Sequence, residues 1–202
     1  MGGITRMNAF DGSKREVYAT DIRNTVGHDF NPKAGTLWFT DNQIDGMGDD
    51  IPLGEINRAT AKGQFFGYPW KQGKTRITDE GYDKDPLPAN ITDRQGYTIA
   101  HAADLGKGFY TGKSFPAKYQ GGFLSAQHGS WDRTKPVGAL VLFTSLKADG
   151  TADKTEVFAE GWLDENGLYR GRPVDVATMK DGSFLISDDF AGALYRVTYS
   201  AP

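Results

Sequence analysis

One short word recurs along this chain and limits what it can become. GTLWFTD (35–41) reappears as GSFLISD (182–188), and GFLSAQH (122–128) fits the same frame. Each copy is a glycine, a run of strand formers, and a polar residue that opens a loop. Leu37, Trp38 and Phe39 are bulky side chains in a row, which suits a strand covered on both faces. The copies start 87 and 60 residues apart, so the repeat is degenerate and carries insertions. Four-stranded units of about 40–50 residues are the signature of a β-propeller. The expected fold is therefore all-β, a single partial propeller domain over 1–202 with about three four-stranded blades.

Composition agrees with short strands. Gly 26 and Pro 9 in 202 residues, with 12% aromatics, leave few stretches long enough for a three-turn helix. Cysteine is absent, which excludes disulfides, thiolate catalysis and Cys-ligated zinc. A net charge of −3 points to no nucleic-acid partner. No apolar run reaches the roughly 18 residues of a membrane span. The opening MGGITRMNAF has no hydrophobic signal core.

Taken in order, residues 4–20 predict a hairpin turning at Asp11-Gly12. Strands follow at Val26 to Phe30 and Leu37 to Thr40, then an acidic loop with Asp41, Asp45, Asp49, Asp50 and Glu55. The FFGYPW run (65–70) reads as core, and 73–97 as a long polar loop. GALVLFTSL and TEVFAEGW form an alternating pair across the turn KADGTADK. In a propeller, the loops before first strands and after second strands gather at one mouth. Those loops carry Arg23, Asn24, His101, Arg170 and Arg172 on one side, and Asp41 to Asp50, His128 to Arg133 and Asp188 to Asp189 on the other. A concave site with a few convergent polar groups is the usual form of a ligand pocket.

These same residues carry a family resemblance. IRNTVGHDFNP, GTLWFTDN, GDDIPLGEINRA, FFGYPW, FYTGKSFPAKYQGGFLSAQHGSWDR and GRPVDVATMKDGSFLISDDFAGALYRV resemble the glucose/sorbosone dehydrogenase family, in its sorbosone dehydrogenase-like branch. The resemblance implies half of a six-bladed propeller that oxidises a sugar with pyrroloquinoline quinone (PQQ) and calcium. It implies quinone contacts from Arg23 and Asn24, with His128, Arg133 and Arg172 on the cofactor side. It places calcium on the backbone carbonyls of Asn42, Gln43 and Ile44, where members often carry Gly at the position of Gln43. Asp49, Asp50 and Glu55 are hard oxygen ligands of the type calcium takes. Val174 stands where members carry a second Arg. Members are about twice this length, and the catalytic histidine belongs to their N-terminal half. This chain then matches the C-terminal half, with His101 and His128 its candidate catalytic groups. Two copies pairing head to tail would complete a six-bladed ring, and family members are usually periplasmic or secreted.

Plainer readings stand beside these. Arg23-Asn24 can be a turn pair, His28 a structural histidine, and Arg170 or Arg172 an ion pair with Glu160 or Asp164. Asp49-Asp50 can cap a short helix over 55–60. A calcium-dependent propeller hydrolase such as a lactonase, polarising a carbonyl through its metal, uses the same acidic loop. A non-catalytic half-propeller that binds a sugar or partner chain is the third alternative.

Overall fold

The computed structural model describes residues 2–77, 81–82 and 84–201. Apart from one 3-10 turn at Ala117–Tyr119, its regular structure there is all strand. β1 (Gly3–Arg6) and β2 (Glu16–Thr20) form the opening hairpin, joined by β6 (Gln64–Phe65). β3 (His28–Phe30), β4 (Leu37–Asp41), β5 (Gly54–Ala59) and β9 (Gly96–Thr98) make a second sheet. β7 (Lys71–Gln72) and β8 (Thr75–Arg76) form a small hairpin beside it. The third sheet is β10 (Asp104–Phe109), β11 (Phe123–Gln127), β12 (Leu140–Leu146) and β13 (Ala152–Ala159). The last is β14 (Pro173–Thr178), β15 (Phe184–Asp188) and β16 (Ala193–Val197). Within the last three sheets, neighbouring strands run antiparallel.

The core is divided among the seams between sheets. Ile22, Leu37, Phe39 and Phe66 fill the first seam. Trp38 and Ile56 meet Phe109 and Phe123 in the second. Tyr110, Phe115, Leu124, Phe143, Phe184 and Ile186 fill the third. Trp38 is 0% exposed and lies edge-on to Phe109 at 5.8 Å. Trimming a side chain so placed to alanine costs about 3–5 kcal/mol. The triple LWF thus does bury both faces of β4, as its sequence predicts.

The first strands of the last three sheets lie side by side, close enough to need glycine. A Cβ on Gly27 would lie 2.6 Å from the Leu105 carbonyl oxygen, and one on Gly106 would collide with the Asp175 carboxylate. Asp29 crosses from β3 to accept the Phe109 N–H at 2.8 Å. Lys107 is buried beneath this contact and donates to Thr40 Oγ1 on β4. Burial pushes its ammonium down to about 7, against the pull of Asp104, Asp175 and Asp41.

Several local expectations shift. The first predicted strand ends at Arg6, because Asn8 folds the chain into a turn, accepting the Phe10 N–H at 2.9 Å. Residues 55–60 are strand rather than capped helix: β5 begins at Gly54 and pairs with both β4 and β9. The expected loop 73–97 contains β8 and the start of β9; its residues 78–80 and 83 lie outside the described residues. The third copy of the repeat is displaced by one. β4, β11 and β15 begin two residues after Gly35, Gly121 and Gly182, each at positive φ (64°, 69° and 83°). Gln127, not His128, is therefore the counterpart of Asp41 and Asp188.

Candidate functional site

The displaced frame shows what the last residue of the word does. Asp41 ends β4 and turns back to accept the backbone N–H groups of Arg23 (3.1 Å) and Asn24 (2.7 Å). Asp188 ends β15 and accepts the backbone N–H groups of Arg172 and Ala191, with the Tyr195 hydroxyl at 3.0 Å. In both sheets the carboxylate fixes the arginine just before the sheet's first strand. In the middle sheet the acid has changed strands. Asp104 on β10 accepts from Gln127 Nε2 at 3.0 Å and from the Thr98 hydroxyl. Burial raises both the Asp41 and the Asp104 carboxyl above the ordinary range.

Asn42 then ties two sheets together. Its side-chain amide donates to the Asp104 carbonyl at 2.7 Å and accepts the Asp104 N–H at 2.8 Å. Above this clamp opens a cavity of about 200 Å³, walled by Arg23, Asn24, Asn42, Gln43, Asp45, His101 and Trp131, among others. Arg23 donates to the Asn42 carbonyl at 3.2 Å and pairs with Asp45 at 3.6 Å. Gln43 is 7% exposed, and its Oε1 is buried with no hydrogen-bond partner.

His101 is held in an unusual way. Its backbone is left-handed (φ 62°), as is that of Ala103 (φ 57°), a conformation costing about 1 kcal/mol or more for residues with a Cβ. Its Nε2 sits between the carbonyl oxygens of Gly48 (2.9 Å) and Ile51 (3.0 Å). Its Nδ1 faces Asp132 Oδ2 at 3.4 Å and Asp45 Oδ1 at 3.7 Å.

The remaining predicted residues fall around this wall without lining the cavity. Arg133 donates to the carbonyls of Asp49 and Ala100 and pairs with Asp50 at 3.3 Å. Asp49 accepts from the Thr134 N–H at 3.0 Å, so loop 42–53 is laced to loop 128–135. Glu55 faces inward from β5: Arg94 Nε (2.7 Å), the Gly73 N–H (2.7 Å) and Asn57 (3.0 Å) surround it. Reading 49–55 as one loop hides this, because the strand has already begun. Ile44 donates its N–H to Gln72 Oε1 at 2.9 Å. Arg172 and His128 form a second cluster. Arg172 stacks on Tyr169 at 3.8 Å and donates to the Gly129 carbonyl at 3.2 Å, while His128 pairs with Asp189 at 2.8 Å. Arg170 pairs with Asp164 at 2.8 Å, the plain surface alternative. His28 lines a different, apolar hollow with Ile4, Tyr18 and Phe30.

Sequence reasoning passed over Asp132 and Trp131. Trp131 is 75% exposed in the HGSWDR loop. A lone tryptophan between a serine and an aspartate, outside any strand pattern, is the signal that was available.

No family model matches the chain. An uncharacterized protein of Borreliella burgdorferi (strain ATCC 35210 / DSM 4680 / CIP 102532 / B31) is 40% identical over 189 residues, 92% of this chain and 49% of that protein. The iodide structure of Trichoderma reesei Carbohydrate-Active Enzymes Family AA12 matches with TM-score 0.72 at 19% identity, covering 91% of this chain and 54% of that one. The holo form of the pyranose dehydrogenase PQQ domain from Coprinopsis cinerea gives 0.69 at 18% identity, with 94% and 57% covered. The soluble aldose sugar dehydrogenase of Escherichia coli in its apo form gives 0.61 at 20% identity, with 96% and 50% covered. The chain spans 49% of the curated relative's length and 50–57% of these structures. At these identities the structural likeness is one of fold. The all-β architecture of several antiparallel sheets matches PQQ-type β-propeller sugar dehydrogenases. No helix among the described residues is long and apolar enough to cross a membrane.

Proposed function

We propose that this chain is the cofactor-side half of a PQQ- and calcium-dependent sugar dehydrogenase, acting on an aldose or sorbosone. The observation that carries this reading is the cavity where Arg23, Asn24, Asn42 and Gln43 meet at the mouth between two sheets. Its residues suit a metal and a quinone. The orphaned Gln43 Oε1 and the nearby backbone carbonyls are hard oxygen donors of the kind calcium takes. The planar guanidinium of Arg23 suits a carboxylate-bearing quinone.

In this reading Arg23 and Asn24 orient the cofactor, held in place by Asp41 from beneath. Gln43, with the backbone carbonyls of Asn42 and Ile44, would hold the metal, and the Trp131 ring offers an apolar face at the rim. When bound, the quinone supplies the two-electron acceptor for a hydride from the sugar. The base that takes the sugar's hydroxyl proton comes from outside this chain. His101 serves the cavity wall, and the cluster of His128 and Arg172 braces the loop behind it.

The half-ring part of the proposal has support of its own. Among the described residues the last sheet holds 3 strands where the two sheets before it hold 4, and the first has one hairpin plus the short β6. Val17, Phe30 and Leu194 are left 53%, 55% and 71% exposed. The missing strands come from the rest of a longer chain or from a second copy, and an exported location belongs to the same reading. A spectroscopic titration with PQQ, with and without calcium, tests it alongside a mass measurement of the assembly. Saturable, calcium-dependent binding that Arg23→Ala weakens about tenfold is expected. Absence of binding, or binding indifferent to calcium and to Arg23, would sink it.

A further inference from the structure

The surroundings of His101 pose a charge problem that a proton-free arrangement does not solve. Nε2 faces two carbonyl oxygens, at 2.9 and 3.0 Å, and carbonyls only accept. The ring proton therefore sits on Nε2, and in the neutral imidazole Nδ1 presents its lone pair. That lone pair faces Asp132 Oδ2 at 3.4 Å and Asp45 Oδ1 at 3.7 Å. The donor atoms of Asp45, His101 and Asp132 all lie within 4.8 Å of one another. Metal bonds of about 2.0–2.2 Å set neighbouring ligands about 3.0–3.5 Å apart, close to these spacings.

Two independent features point the same way. Asp132 Oδ1 is a buried oxygen without a hydrogen-bond partner. The His101 side chain is 2% exposed, and its Nε2–H is spent on backbone carbonyls. That is how metal-binding histidines are commonly oriented: the second nitrogen is pinned so that the first is fixed and made more basic.

We propose that Asp45, His101 and Asp132 form a binding site for a divalent transition-metal ion of the zinc, cobalt or manganese type. One nitrogen and two carboxylates suit such an ion, whereas calcium takes oxygen alone. The site is separate from the carbonyls assigned above to calcium and does not rest on the quinone reading. The neighbouring cations are Arg23, which pairs with the far oxygen of Asp45 at 3.6 Å, and Arg133, whose two terminal nitrogens go to Asp49, Ala100 and Asp50 while its Nε is buried without a partner. Three protein ligands leave coordination positions for water or a ligand oxygen at the cavity.

The test uses the metal-stripped chain without quinone, titrated with Co2+ and followed by visible absorption and tryptophan fluorescence. One saturable site with absorption bands of nitrogen coordination is expected, displaced by Zn2+ and resistant to excess Ca2+. His101→Gln and Asp132→Asn should each weaken binding about tenfold or more. Asp45 is a loop residue with a side chain 41% exposed, so Asp45→Asn covers the case in which the buried variants misfold. A circular dichroism spectrum like the parent's would confirm its fold. No cobalt spectrum, full affinity in Asp45→Asn and Asp132→Asn, or displacement by equal Ca2+ would each overturn the proposal. An imidazolium bridging the two carboxylates, with no metal bound, would do so as well. Because no quinone is present, failure here leaves the proposed sugar dehydrogenase untouched, and the reverse also holds.

Discussion

β4 and β15 end on the same residue, yet the two carboxyls sit in different electrostatic worlds. Asp41 and Asp188 are equally hidden by surface exposure, 2% and 3%. Asp41 lies in the seam between two sheets with Asp104 and Lys107 near it, and burial raises its carboxyl. Asp188 belongs to the last sheet, and among the described residues no further hydrophobic seam lies beyond it. Burial pushes its carboxyl up too, but donors from Ala191, Arg172, Tyr195 and Phe190 outweigh that and hold it below the ordinary range. One sequence word thus builds the same arginine anchor twice, once deep and once shallow. Identity at a position does not settle the ionisation of the group there; depth and donor count do.

The harshest way to break the pattern is in the middle sheet, where amide and acid have exchanged strands. Gln127→Glu would set a second buried carboxylate against Asp104. A loss of about 3 kcal/mol or more is expected at neutral pH, read by urea unfolding. Like charges raise each other's pKa, so this loss should shrink in acid as one carboxyl takes up a proton.

Aspartate-to-asparagine changes at the two strand ends sharpen the comparison more gently. Asp188→Asn should cost about 2 kcal/mol at neutral pH, because several hydrogen bonds there favour the charged form. The Asp188 pKa is lowered on folding, so its contribution is complete above the unfolded value of 3.8. It is lost as pH falls through the folded value, and the mutant should lack that acid-side decline. Asp41→Asn should cost about 1 kcal/mol. The Asp41 pKa is raised on folding, so wild-type stability falls as pH rises from 3.8 through the folded value, and this mutant should lack that slope. Equal costs and equal pH profiles in the two variants would erase the distinction between deep and shallow anchors. The smallest effect is expected at Ala103, whose φ of 57° is left-handed. Ala103→Gly should gain at most about 1 kcal/mol in the same unfolding assay, since relief of strain is offset by a freer unfolded chain.

Much of this architecture is legible in the sequence because strand words and turn glycines are local. The hairpin of β12 and β13 and the buried LWF triple both follow from patterns a few residues long. The frame of the third repeat does not. Gly121 and Gly122 are adjacent, and only the backbone shows that Gly121 takes the positive φ of 69°. Glu55 was equally hidden, since its environment depends on Arg94, 39 residues away. The grouping of Asp45, His101 and Asp132 brings together three loops, and no window of sequence contains it. Loop contents can be read along the chain, whereas which loops touch is decided by how the sheets stack.

Loop 128–133 belongs to two neighbourhoods at once. Ser130 at its middle is bonded to Tyr169 and lies under Arg172, while Trp131, the next residue, stands in the cavity wall. Such a segment works as a short lever with its fulcrum in a closely packed interior that transmits strain. A tilt of the final sheet would arrive at the cavity as a swing of an indole ring. Substitutions around Tyr169 can thereby retune the opening from a distance, without altering any group that a ligand touches.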